Sequence, residues 1–170
     1  MSTLSDWQIT SLCESGMVTP FLPELINPAS IDVRLGDALL IESAQSPELV
    51  PYPLHKHTES NPYLLVPGQF VLGHTLEYVR IPNDLCAQFS LKSSRAREGI
   101  EHLLAGWIDP GFHGVITLEL VNSRQLHPLP IWPGMRIGQL TMLRMDQRPL
   151  RGYAETGRYQ GAETVEPSKG

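Results

Sequence analysis

Apolar and polar residues alternate with a period of two along most of this chain. Val115, Thr117, Glu119 and Val121 take turns with Ile116, Leu118 and Leu120, the pattern of a strand with one wholly apolar face. Residues 105–114 ahead of it read as a strand and a tight turn, punctuated by Pro110-Gly111 and Gly114, because proline presets one turn dihedral and glycine accepts positive φ. Ala29 to Gly36 alternates apolar and charged residues, which predicts a half-buried strand with Asp32 and Arg34 on one face. Further strands are predicted at 63–66, 69–75, 78–81, 85–90, 128–131 and 134–145, with turns at Pro67-Gly68 and Pro82-Asn83-Asp84. A helical period appears only at the start. Ser5 and Gln8 form a capping box, Leu4 and Ile9 a hydrophobic staple, and Ile9, Leu12 and Cys13 an apolar face that stops at Gly16. Pro20, Pro23 and Pro28 predict irregular chain up to Ser30, and residues 43–62, with His55-Lys56-His57, predict a loop. Lys92 to Gly99 reads as a short helical turn. Many short strands with close turn signals indicate an all-β barrel or jelly roll.

At 170 residues the chain fits one domain, and no repeat or linker divides it. Its 13 Lys+Arg against 18 Asp+Glu leave a net charge of −5. That balance argues against a broad nucleic-acid footprint and leaves room for a small anion held by a few local cations. Cys13 and Cys86 form no CxxC pair, which points to a reducing compartment. No apolar run approaches the ~20 residues needed to span a bilayer, and the amino terminus lacks a signal-peptide pattern, so a cytoplasmic protein without membrane partners is expected. Residues 146–170 carry few apolar side chains beyond Leu150 and Tyr153, with Arg148, Arg151, Arg158, Tyr159 and glycines at 152, 157 and 161. Such a segment orders only against something: it is either a disordered terminus or a lid over an anionic ligand.

The candidate chemistry starts at Glu119. A mid-strand carboxylate facing a cavity can be desolvated and kept as a general base or acid near neutral pH, and Asp109 supplies a second carboxylate at the turn. On the residues alone a plain hairpin is the preferred reading, with a solvent-facing Glu and a turn Asp that bonds its own backbone. Asp32 and Arg34 read either as a surface pair with each other or as functional groups. Two hydroxyls and three cations in Lys92-Ser93-Ser94-Arg95-Ala96-Arg97 suit an anion at a helix start, or a solvated basic turn. His55 and His57 lack further ligands at a recognisable spacing, so no metal site is predicted there.

Taken together and in order, Ala-Ser-Ile-Asp-Val-Arg-Leu-Gly (29–36), Lys-Ser-Ser-x-x-Arg (92–97), Ala-Gly-Trp-Ile-Asp-Pro-Gly-Phe (105–112), Thr-Leu-Glu (117–119), Pro-Gly-Met-Arg-Ile-Gly-Gln-Leu (133–140) and Gly-Arg-Tyr-Gln-Gly (157–161) resemble the dCTP deaminase family of the trimeric dUTPase superfamily. The Ala-Gly-Trp-Ile-Asp form is similar to the bifunctional members, which deaminate dCTP and cleave the product to dUMP and pyrophosphate. The resemblance implies a distorted jelly-roll β-barrel over residues 1–152, a flexible lid over 153–170, and a homotrimer with sites at subunit interfaces. It implies magnesium bound through the substrate triphosphate, and no zinc; the His-x-Glu and Pro-Cys-x-x-Cys signature of zinc deaminases is absent. Carried over residue by residue, Glu119 activates the water that attacks C4 of cytosine and passes a proton to ammonia. Ser93 and Arg97 hold that water and Glu119. Ala105, Gly106 and Trp107 wall the base and sugar, and Asp109 orients a water or the 3′-hydroxyl. Lys92, Ser94, Gln139, Tyr153 and Arg158 contact the phosphates.

The chain departs from the family pattern at several positions. Lys92 stands for an arginine, Arg158 for a lysine and Ala162 for a glutamine, and the segment between Arg97 and Ala105 is one residue short, with Leu103-Leu104 after His102. That region bears on inhibition by dTTP in the family. A deaminase or dUTPase alone, or a non-catalytic nucleotide-binding protein on the same scaffold, are the alternative readings; retention of Glu119, Ser93 and Arg97 favours a deaminase.

Overall fold

The computed structural model describes residues 2–170. In chain order the strands are β1 (Ser2–Thr3), β2 (Val18–Thr19), β3 (Ile26–Asn27), β4 (Ser30–Arg34), β5 (Ala38–Ser43), β6 (Ser46–Pro53), β7 (Tyr63–Leu65), β8 (Phe70–Arg80), β9 (Leu85–Leu91), β10 (Ile100–Glu101), β11 (Trp107–Ile108), β12 (His113–Asn122), β13 (Leu129–Ile131) and β14 (Arg136–Arg144). Three short helices accompany them: α1 (Asp6–Glu14), α2 (Ser93–Glu98) and α3 (Tyr153–Thr156). One six-stranded antiparallel sheet runs β11-β9-β14-β4-β3, with β1 against β14. A second runs β10-β12-β8-β5-β6, with β2 against β8, and β7 pairs with β13 separately. Inward residues of both sheets, among them Ile31, Phe89 and Leu140 from the first and Val71, Leu118 and Leu120 from the second, form one core. The result is the expected distorted jelly roll, with two sheets that do not close into a continuous barrel.

Local chemistry explains the elements. The Ser5–Gln8 capping box starts α1, and Gly16, at φ +93°, lets the chain leave it. Between Pro20 and Pro28 the chain is more regular than the prolines suggest. Pro23 opens a 3₁₀ turn (Pro23–Leu25), where its missing N–H costs nothing, and Ile26–Asn27 pairs back on Ser30–Ile31. The predicted loop 43–62 contains the eight-residue strand β6. Its prolines are tolerated because β6 is the outer edge of its sheet. His57 closes the following segment, 2.8 Å from Tyr52 Oη and 3.2 Å from the Asn61 carbonyl.

Two strands predicted on either side of Leu76-Glu77 are a single strand, β8. Glu77 is fully buried inside it and satisfied: it accepts from Arg34 Nε at 2.7 Å and from the Arg34 backbone N–H at 2.7 Å. Asp32 and Arg34 therefore do not pair with each other. Asp32, also buried, takes Lys92 Nζ at 2.5 Å, Asn27 Nδ2 at 2.8 Å and, more distantly, Arg136. Among the described residues no helix is long and apolar enough to cross a membrane.

Candidate active site

The site grows from the turn between β11 and β12. Gly111, at φ +84°, reverses the chain, the Gly111 N–H donates to the Ile81 carbonyl and the Phe112 N–H to the Asp109 carbonyl. Gly106 has no room for a side chain: a Cβ there would stand 2.3 Å from the Phe89 carbonyl oxygen. The Phe89 N–H donates to the Gly106 carbonyl at 2.7 Å, so Ala105 to Asp109 is pinned to the core strand β9. Phe89 also meets the edge of His102, ring centroids 5.4 Å apart, and fills the space beside Gly138. Trp107 Nε1–H donates to Asp109 Oδ1 at 3.0 Å, fixing that carboxylate.

Beyond the turn, Leu118 and Leu120 of β12 enter the core while Thr117 and Glu119 take the opposite face. They line a cavity of about 550 Å³ with Ala105, Trp107, Asp109, Phe112 and Tyr153. Burial pushes the Glu119 carboxyl above the ordinary carboxylate range; its own backbone N–H and the nearby His102 pull it part of the way back. A carboxylate in that condition can accept and return a proton close to neutrality.

Tyr153 heads α3 and packs edge-on against Phe112 at 5.4 Å. The tail then crosses the turn. Gln160 Nε2 donates to the Gly111 carbonyl and its Oε1 accepts the His113 N–H, Ala162 bridges Gly114 in parallel, and Val165 is buried against Leu40 and Leu72. Glu166, Pro167 and Ser168 form the far wall of the cavity, where the Glu166 N–H reaches Thr117 Oγ1 at 3.4 Å and its carboxylate pairs with Lys169 at 2.6 Å.

Of the residues named from sequence, Ala105, Trp107, Asp109, Glu119 and Tyr153 meet at this cavity, and Gly106 lies in its wall segment. Lys92, Ser93, Ser94, Arg97, Gln139 and Arg158 do not line it. Gln139 lies opposite Asp32 and Ser90 in the first sheet, next to Lys92. Ser93, Ser94 and Arg97 are exposed on α2, without side-chain hydrogen bonds or ion pairs among the described residues. The cavity has three carboxylates, Asp109, Glu119 and Glu166, and neither lysine nor arginine. Sequence reasoning passed over Phe112, Thr117 and Glu166. Thr117 shares the alternation phase of Glu119 and was within reach of that pattern; nothing in the composition of the tail marks Glu166.

Comparison with known proteins completes the picture. The family model described as dCTP deaminase-like matches residues 3–145. Proteins named dCTP deaminase, dUMP-forming, are similar throughout: that of Acidothermus cellulolyticus is 41% identical, over 98% of this chain and 94% of its own, and that of Rhodococcus opacus is 41% identical, over 98% and 95%. Among solved structures, the 2′-deoxycytidine 5′-triphosphate deaminase of Agrobacterium tumefaciens superposes with a TM-score of 0.66 at 21% identity, over 82% of this chain and 47% of that one. The EIAV dUTPase gives 0.51 at 15% identity, over 80% and 89%. At those identities the two structures speak for the fold alone.

Proposed function

The chain belongs to the dCTP deaminase-like family, and on that premise we propose that it deaminates dCTP to dUTP and then cleaves dUTP to dUMP and pyrophosphate. The observation that carries the reading is the half-dry Glu119, held on a rigid strand at the cavity wall with its pKa raised by burial. Water gives its oxygen to C4 of the pyrimidine and a proton to Glu119. The C4–N4 bond then breaks, and the proton returns to the departing ammonia. Asp109, clamped by Trp107, orients the sugar 3′-hydroxyl or the water that attacks the phosphate. Ala105, Gly106 and Trp107 wall the base and sugar, and Tyr153 guards the phosphate side.

A cavity with three carboxylates and no lysine or arginine cannot by itself hold a triphosphate. Ser93, Ser94 and Arg97, with Lys92, Gln139 and Arg158, supply the missing donors if they come from a neighbouring copy, which supports a homotrimer whose sites form between subunits. No group of three His, Cys, Asp or Glu is placed to hold a metal among the described residues. In this reading magnesium arrives on the triphosphate, where it offsets phosphate charge, and the proton relay through Glu119 needs no resident zinc. Residues 153–170 serve as the lid. Inhibition by dTTP belongs to the same site: Leu103 and Leu104, at φ +54° and +61°, follow His102, whose charge bears on Glu119.

The deciding experiment incubates pure protein with dCTP and magnesium and resolves the products by chromatography. Ammonia, dUMP and pyrophosphate are expected, with no effect of a zinc-selective chelator. Accumulation of dUTP would leave a deaminase alone, and untouched dCTP would end the reading. Light scattering on the same sample should show a trimer; an active, stable monomer would remove the shared site.

A further inference from the structure

The outer face of the second sheet does not end at Glu119. Across the ladder from Glu119 stands Leu72, and across from Val121 stands Phe70; opposite side chains of an antiparallel pair lie on one face, with Cβ atoms roughly 4.5–5.5 Å apart. Leu40 of β5 is in turn opposite Leu72. Leu49, from the edge strand β6, reaches the same space, and Leu49, Phe70 and Leu72 all line the cavity. The tail's Val165 covers Leu40 and Leu72 from above. Beside the reacting carboxylate, the cavity thus has a stretch of apolar wall made by Leu49, Phe70 and Leu72.

Cytosine has a polar edge, N3 with the C4 amino group, and an apolar edge, C5 with C6. When C4 meets Glu119, the neighbouring C5 faces the side chains that flank Glu119. In dCTP it offers them only a hydrogen. We propose that Leu49, Phe70 and Leu72 form a pocket for a substituent at C5, and that 5-methyl-dCTP is a substrate. This rests on the deamination reading and extends it to a substrate class. The step balances as for dCTP: water oxygen bonds to C4, the C4–N4 bond breaks, ammonia leaves with the proton relayed by Glu119, and the product is the 5-methyl uracil nucleotide, dTTP. Burying one methyl against an apolar wall is worth ~0.8 kcal/mol, about fourfold in kcat/KM.

The test compares dCTP and 5-methyl-dCTP on the same preparation. Turnover of 5-methyl-dCTP with kcat/KM equal to that of dCTP, or up to about fourfold higher, is expected; a value below one tenth overturns the pocket. Leu49→Asn places a polar group in that wall and should lower the ratio of the two kcat/KM values about fourfold. The ratio does not depend on the fraction of folded enzyme, so an unchanged ratio counts against the pocket. Equilibrium binding of both triphosphates to Glu119→Gln judges the pocket separately from chemistry. If wild type leaves dCTP intact, deamination falls as the function, and only equal or tighter binding of the 5-methyl nucleotide keeps the pocket.

Discussion

Replacing Glu119 by glutamine keeps shape and a hydrogen-bonding head group but removes the proton acceptor. The loss follows from where the residue stands. It is partly desolvated on a strand whose other face is core, with Leu72 opposite and no other carboxylate on its own strand, so no neighbour on β12 can take over. General acid–base assistance contributes 10²–10⁴, or about 2.7–5.4 kcal/mol of barrier, and deamination of dCTP by Glu119→Gln should fall by that factor. Cleavage of supplied dUTP, whose C4 already carries oxygen, should survive in large part. Two further readouts come from the raised pKa. The acid limb of wild-type kcat/KM for dCTP should lie above the pH of an ordinary carboxylate, since the base form is lost as pH falls through the raised value. Burial also favours the protonated Glu119 in the folded state, so its contribution to stability is present at low pH and lost as pH rises through the folded pKa. The glutamine variant should therefore melt above wild type at pH 7–8, with the gap closing on acidification. Products are resolved by chromatography on each substrate, and melting is followed by circular dichroism. Deamination above one tenth of wild type, or equal loss on both substrates, would refute the assignment.

The remaining predictions concern the turn, the tail and the buried ion pair. Asp109→Asn weakens the clamp from Trp107 and should cut dUTP cleavage by about 10²-fold, as small misplacements of a reacting group do; cleavage within threefold of wild type would restrict Asp109 to the turn. Deletion of 163–170 removes the Val165 contact while leaving Tyr153 packed on Phe112. Melting should drop by only about 3–6 °C for ~1.5 kcal/mol of lost burial, while turnover falls at least tenfold; full turnover would deny the tail a role as lid. Glu77→Gln leaves Arg34 facing a neutral group in the interior and should cost about 3 kcal/mol, a fall of about 6–12 °C. A melting shift under 2 °C would mean that the pair contributes nothing.

What the sequence disclosed is what local pattern encodes. The capping box of α1 and the alternation through Glu119 are short-range codes, and the structure follows both. β6 escaped because three prolines hide its pattern, and only its place at a sheet edge makes them harmless. β8 was divided in two because a charge at position 77 suggests solvent, whereas Arg34, 43 positions earlier, neutralises it in the core. The partner of Asp32 was missed for the same reason: Lys92 is 60 residues away. Asp109 and Glu119 were legible because they lie ten residues apart in one stretch, the first at the turn that joins the two sheets and the second on the strand that follows it. The outer wall of the site was not, since Glu166 reaches it by a tail path that no periodicity describes.

Phe89 never lines the cavity, yet its carbonyl adjoins Gly106 in the wall segment, while its ring lies perpendicular to that of His102 and fills the space beside Gly138. A change there has two separate prices in principle, one in folding and one in alignment, and they need not move together. A smaller aliphatic side chain could leave melting tolerable while the Ala105–Asp109 wall drifts by a fraction of an ångström from Glu119. Natural variation at this core position would then be filtered by reaction rate as much as by stability, and coupled substitutions at 102, 106 and 138 would be its trace.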